Sequence, residues 1–171
     1  TGAQAYKPDV FHYGKHPGVV TQNELSDEIR SHPNSLSSSN LVVMIQCVGS
    51  RNEQHPYCSR VCCSQAVANA LKIKELNADI DVVVLYRDLR TFGFRELFYK
   101  EARKQGVIFI RYDKDHPPEV YEEGNEIRTR FTEPSLKRKV VVAPDRVVLS
   151  AALRPHSMAG QAAGVFKLPR D

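Results

Sequence analysis

From Leu41 onward the chain alternates short apolar runs with amphipathic stretches. The run Leu41-Val42-Val43-Met44-Ile45 leads to Cys47 and predicts a buried strand over 41–47. Ala66, Val67, Ala70, Leu71 and Leu76 then recur on one helical face, which predicts a helix over about 60–76. A strand over 81–86, a helix over about 94–105 stopped by Gly106, and a strand over 107–112 complete a β-α-β-α-β pattern. Such alternation predicts a parallel sheet with right-handed helical crossovers.

The texture changes after Pro117-Pro118. Val120-Tyr121, the turn Glu123-Gly124-Asn125, the stretch 127–132 and the stretch 136–142 read as an antiparallel meander. Pro144-Asp145 turns the chain into Val147-Val148-Leu149-Ser150, an apolar strand able to rejoin the parallel sheet. Before all this, residues 1–33 are loop-rich, with one short helix expected over 22–30, Asn23 as its cap and acidic Glu24 and Asp27 in its first turns. A polar connection, 34–40, leads into the first strand.

All four cysteines lie between positions 47 and 63, at Cys47, Cys58, Cys62 and Cys63. They therefore fall between a strand's carboxyl end and a helix's amino end, where unpaired N–H groups and the helix dipole favour thiolate. A nucleotide-binding βαβ unit would carry Gly-x-Gly-x-x-Gly here; this chain has cysteines instead. Four identities compete. Disulfides need an oxidising compartment, and no signal peptide is evident. A structural zinc favours two short Cys pairs, whereas adjacent Cys62 and Cys63 would have to converge on one small ion. A four-iron cluster spreads its attachment points over a cube and takes four thiolates. Cysteines packing as small hydrophobes suit Cys47 but not four in so short a span.

The motifs carry a resemblance. Gln46-Cys47-Val48-Gly49-Ser50-Arg51 followed by Tyr57-Cys58-Ser59-Arg60-Val61-Cys62-Cys63 resembles the A subunit of heterodisulfide reductase and of the related quinone-interacting membrane-bound oxidoreductase. Tyr86-Arg87-Asp88-Leu89-Arg90-Thr91-Phe92-Gly93, Phe98 to Arg103, Gly106 to Arg111, and the N-terminal Thr1-Gly2-Ala3, Tyr6-Lys7-Pro8 and Val19-Val20-Thr21-Gln22 with Glu24-Leu25 are similar to it as well. The resemblance implies that Cys47, Cys58, Cys62 and Cys63 ligate one [4Fe-4S] cluster. It also implies that Thr1, Gly2, Arg154 and Pro155 approach an FAD. The stretch from Ser150 to Pro155 lacks the family's usual Thr-Gly, having Ala151 and Ala152.

The fold so implied is α/β: a Rossmann-like three-layer domain with a parallel sheet and an antiparallel meander, as in thioredoxin-reductase-like flavoproteins. The division expected is 1–40 flavin-domain remnant and linker, 41–150 inserted domain with the cysteines, and 151–171 a second remnant. Both remnants would be poorly ordered or exchange with a second copy as a homodimer. The function implied is an electron-transfer module between a [4Fe-4S] cluster and FAD, within an oxidoreductase whose isolated fragment is inactive. Partners would be further subunits of a redox complex and ferredoxin- or hydrogenase-type donors, in the cytoplasm. An NAD(P)H-binding domain of a disulfide oxidoreductase and a zinc-stabilised non-redox module are the rivals.

Charge and size add limits. The chain's 171 residues can bury one substantial core, and the start at Thr1 reads as a fragment. No apolar run approaches the roughly 18 residues of a membrane span. The formal charge of +4 is mild. Basic residues at 128, 130, 137, 138 and 139 alternate with apolar ones as on a solvated strand face, with no nucleic-acid motif beside them. No Gly-x-Ser-x-Gly elbow suggests a serine nucleophile. His55 reads as solvated, Arg51 and Arg60 as candidates to offset thiolate charge, and Asp88 with Arg90 as a local ion pair.

Overall fold

The computed structural model describes residues 2–135 and 137–169. Five parallel strands form its centre: β2 (Val19–Thr21), β3 (Leu41–Val48), β4 (Asp81–Tyr86), β5 (Ile108–Arg111) and β9 (Arg146–Ala151), in the spatial order β2-β9-β3-β4-β5. Crossovers are made by α1 (Gln22–Ser31), α2 (Cys62–Leu76) and α3 (Arg95–Lys104). An antiparallel sheet of β6 (Glu119–Glu123), β7 (Glu126–Glu133) and β8 (Arg138–Val142) lies between β5 and β9 in sequence. A two-stranded ribbon joins β1 (Ala3–Ala5) to β10 (Leu153–Pro155), and α4 (Ala159–Val165) follows it.

Strand pleating explains the layers. Val42, Met44, Val82 and Val84 turn to one face, where they pack with Leu25, Ile29, Ala66, Val67, Ala70, Ile73 and Ala102 of the helices. Val43, Ile45, Val83 and Leu85 turn to the opposite face, where Ile127 and Phe131 of β7 cover them. The central strands are thus buried on both sides, which is why they read as continuous apolar runs. The expected parallel sheet with helices and the separate antiparallel meander are what the structure has.

The sheet also extends into the segment before residue 41. Val19 pairs with Val147 and Thr21 with Leu149, and both Val19 and Thr21 are buried. The helix after β2 starts two residues earlier than an Asn23 cap would allow. Thr21 is the cap: its hydroxyl accepts from the Glu24 N–H, while the Glu24 carboxylate accepts from the Thr21 N–H at 2.7 Å. Asn23 instead accepts from the Gln65 amide at 2.6 Å, tying α1 to α2. Among the described residues no helix is long and apolar enough to cross a membrane.

Candidate metal centre

The site starts where β3 breaks its register. Between Ile45 and Val48 the pairing with β9 shifts, and Cys47 sits at φ +64°. Arg51 and Arg60 are also left-handed, at φ +58° and +63°. A side chain in that region costs about 1–2 kcal/mol, and three such residues in one loop mark a clamp-like segment rather than a slack one. The left-handed Arg60 also delays α2 to Cys62, two residues after the expected start. Main-chain bonds from Arg51 to Tyr57 (3.1 Å) and from Asn52 to His55 (3.2 Å) fold 51–57 into a compact loop. His55 is half-buried edge-on to Tyr57, at 6.0 Å between rings, rather than fully solvated.

This geometry brings all four cysteines to the wall of one small cavity, lined also by Gln46, Ser50, Arg51, Arg60, Asp88 and Arg90. Cys62 and Cys63 are buried, Cys47 and Cys58 half-buried, and none forms a disulfide. Guanidinium and amide donors surround the sulfurs. Arg51 reaches the Cys47 Sγ at 3.9 Å, and the Arg60 N–H donates to the Cys58 Sγ at 3.4 Å. The Cys63 thiol lies 3.8 Å from the Asp88 carbonyl oxygen.

Burial dominates the thiol chemistry. It pushes the Cys62 pKa up to about 11, with the neighbouring Cys63 and Cys47 adding to the effect. Burial likewise raises Cys47, against the opposing pull of Arg51, and raises Cys63. The helix-start effect expected from sequence is outweighed, so a metal would have to displace the protons. The Asp88 carboxyl is held below its usual range, chiefly by its hydrogen bond to Arg51 at 2.6 Å. Its second partner is Arg111 at 3.6 Å, not Arg90. Asp88 follows the end of β4 beside the loop after β3, and this juxtaposition selects its partners. Arg87, which donates to the Arg51 carbonyl at 2.7 Å, completes the brace. Neither contact has a local sequence signature, since each joins residues far apart along the chain.

The donor set is four thiols, the ligand type taken by structural zinc and by iron–sulfur clusters alike. A tetrahedral zinc needs its sulfurs drawn to about 2.3 Å from a single point. Among the described residues no three His, Cys, Asp or Glu side chains gather closely enough for one metal, yet four thiols share the cavity wall. Cys47, Cys58, Cys62 and Cys63 line one pocket, and these are the residues that would hold a metal group there.

The residues tied to flavin by resemblance lie next door. Thr1 is outside the described residues. The Gly2 carbonyl accepts from His156, and Pro155 pairs with Ala3 in the ribbon. Arg154 stacks over the Tyr6 ring at 3.7 Å. That ribbon is fastened to the cysteine loop: Leu153 donates to the Ser59 hydroxyl at 2.9 Å, and the Ala152 N–H donates to the Val48 carbonyl at 2.8 Å. Half-buried Ala151 and buried Ala152 stand in this connection, in place of the Thr-Gly that the resemblance would have there.

No family model matches the chain. It is 39% identical over 134 residues to the A subunit of the ferredoxin:CoB-CoM heterodisulfide reductase of Methanosarcina acetivorans, a match covering 76% of this chain and 16% of that protein. It is 37% identical over 172 residues to the A subunit of the H(2):CoB-CoM heterodisulfide,ferredoxin reductase of Methanothermobacter marburgensis, covering 91% of this chain and 26% of the relative. The chain is homologous to heterodisulfide reductase A subunits. A relative from Methanocaldococcus jannaschii, 36% identical across 85% of this chain and 24% of its own length, is named as the iron-sulfur A subunit of a CoB–CoM heterodisulfide reductase. The chain thus spans about a quarter or less of the length of these relatives. Its fold is that of thioredoxin reductases. The Lactococcus lactis enzyme superposes with a TM-score of 0.56 at 19% identity, over 94% of this chain and 46% of that one. The T. acidophilum enzyme does so with 0.54 at 13%, over 92% and 44%.

Proposed function

We propose that this domain is the electron-relay module of a heterodisulfide-reductase-like flavoprotein, working between a [4Fe-4S] cluster on Cys47, Cys58, Cys62 and Cys63 and an FAD beside the β1–β10 ribbon. The observation that carries the reading is the sharing of one cavity by four unpaired cysteines within a segment homologous to heterodisulfide reductase A subunits. The bound cluster supplies one-electron chemistry. The chain's own residues supply everything else. Arg51, Arg60 and Arg90 bring positive charge to the cavity wall, which stabilises added negative charge. Burial of Cys62 and Cys63 keeps water from two ligands. The bonds from Leu153 to Ser59 and from Ala152 to Val48 hold Arg154 and Pro155 at a fixed position relative to the cysteines.

Further subunits of a redox complex and ferredoxin- or hydrogenase-type donors are the partners proposed, with a cytoplasmic setting. Phe92 and Phe94 support a docking role, being 76% and 88% exposed in the loop after Arg90 and before Arg95. Of residues 1–40 and 151–171, expected on the flavin-domain side, β2 and α1 belong to this chain's own sheet and helical layer and β1 pairs with β10 within the chain, which counts against exchange of these ends in a homodimer. The test is reduction of the anaerobically prepared full-length protein, followed by visible absorption and electron paramagnetic resonance. The wild type should bleach in the visible on reduction, beyond the flavin contribution, and Cys62→Ser should bleach less. Retention of the full bleaching in Cys62→Ser removes that residue from the ligand set.

A further inference from the structure

We infer that the side-chain amide of Gln46 is a hydrogen-bond donor to the sulfur of the bound cluster and thereby sets its reduction potential; this rests on the cluster reading above. Gln46 is 1% exposed, and both its Nε2 and its Oε1 lack a hydrogen-bond partner. A buried amide left this way costs about 1–3 kcal/mol, and such orphans are few in native proteins. Gln46 is the polar member of an otherwise apolar strand interior, between Ile45 and the register break at Cys47. An apolar side chain of similar size would avoid the cost. The amide therefore answers to something that occupies the cavity it lines.

The surroundings say what. Gln46 keeps the parity of Val42 and Met44, whose side chains pack on the face covered by α2, the helix that opens with Cys62 and Cys63. Its main chain is fixed, because its carbonyl accepts from the Tyr112 hydroxyl at 2.9 Å. The amide N–H needs an acceptor. The side chains of Arg51, Arg60 and Arg90 have only donors to offer, and the Asp88 carboxylate is already engaged by Arg51 and Arg111. Beside the Ser50 hydroxyl, anionic sulfur, cysteinyl or inorganic, is the acceptor the cavity wall offers. An N–H donated to sulfur stabilises the more negative, reduced form and raises the potential.

The experiment is a redox titration of the anaerobic full-length protein, read by electron paramagnetic resonance, with iron and sulfide measured on each sample. Gln46→Met keeps the volume and removes the donor. It should retain wild-type iron and sulfide while its reduction equilibrium falls about tenfold, a shift of ~59 mV for one electron, with the flavin potential unchanged. An unshifted potential at equal iron content overturns the inference. Should Gln46→Met fail to load, Gln46→Leu replaces it, with the same lowering expected; iron loss in both variants from a loaded wild type assigns Gln46 a packing role and also overturns the inference. A wild type without iron overturns the cluster reading itself.

Discussion

Gly49 offers a direct test of how the terminal ribbon seats on the cysteine loop. It lies two residues after Cys47 at φ +77°, and a Cβ there would stand 2.3 and 2.4 Å from two carbons of the Tyr6 ring. Tyr6 itself is held by the Arg154 guanidinium over its ring and by its N–H bond to the Ala152 carbonyl. Gly49→Ala therefore meets two penalties. The left-handed backbone costs about 1–2 kcal/mol for an L side chain. Displacing the ring adds the cost of overpacking, about 1–3 kcal/mol. The sum, about 2–5 kcal/mol, should appear as a lower urea midpoint with the slope unchanged. The two penalties separate in a double-mutant cycle, because Tyr6→Ala removes the ring but not the backbone conformation. In that background Gly49→Ala should cost only about 1–2 kcal/mol. A single-mutant cost below about 0.5 kcal/mol, the range of ordinary surface changes, would refute the close approach; an equal cost in both backgrounds would refute the role given to Tyr6.

Three further outcomes follow from the same structure. Thr21→Ala should destabilise the protein by about 1 kcal/mol through loss of the capping box. Burial opposes ionisation of Glu24, but its bonds from Thr21 and Tyr13 prevail and hold its carboxyl below the ordinary value of 4.5. The associated stabilisation is therefore complete above that value and lost as pH falls through the folded pKa, so acid titration of stability should flatten in Glu24→Gln. Asp145→Ala should destabilise the protein by about 1–3 kcal/mol, read as a lower urea midpoint, because the Asp145 carboxylate accepts from the N–H groups of both Asn40 and Leu41, at 2.7 and 3.0 Å, where β3 begins.

The parts of the fold legible in sequence were those whose burial is set by their own periodicity. The apolar runs of β3, β4 and β9, and the 3.6-residue spacing of Ala66, Val67 and Ala70, are imposed by layers on both faces of one sheet. Short elements stabilised by distant partners were not legible. β2 is three residues long and exists because Val19 to Thr21 pair with Val147 to Leu149. The β1–β10 ribbon similarly joins distant parts of the chain. Asn23 had the right composition for a cap, but its side chain serves α2. At the site, the gathering of the cysteines follows from their position between a strand end and a helix start. The Asp88 bridge to Arg51 and Arg111 depends on which strand ends are neighbours, which no local pattern encodes. Gln46 did have a signal, an amide inside an apolar run, although its significance needed the burial and the missing partners to be seen.

The measurement that bears most directly on the account is metal and sulfide analysis of the anaerobically purified protein. About four irons and four acid-labile sulfides per chain are expected, as a cubane on four cysteines requires, with zinc near zero. One zinc per chain and no sulfide would contradict it.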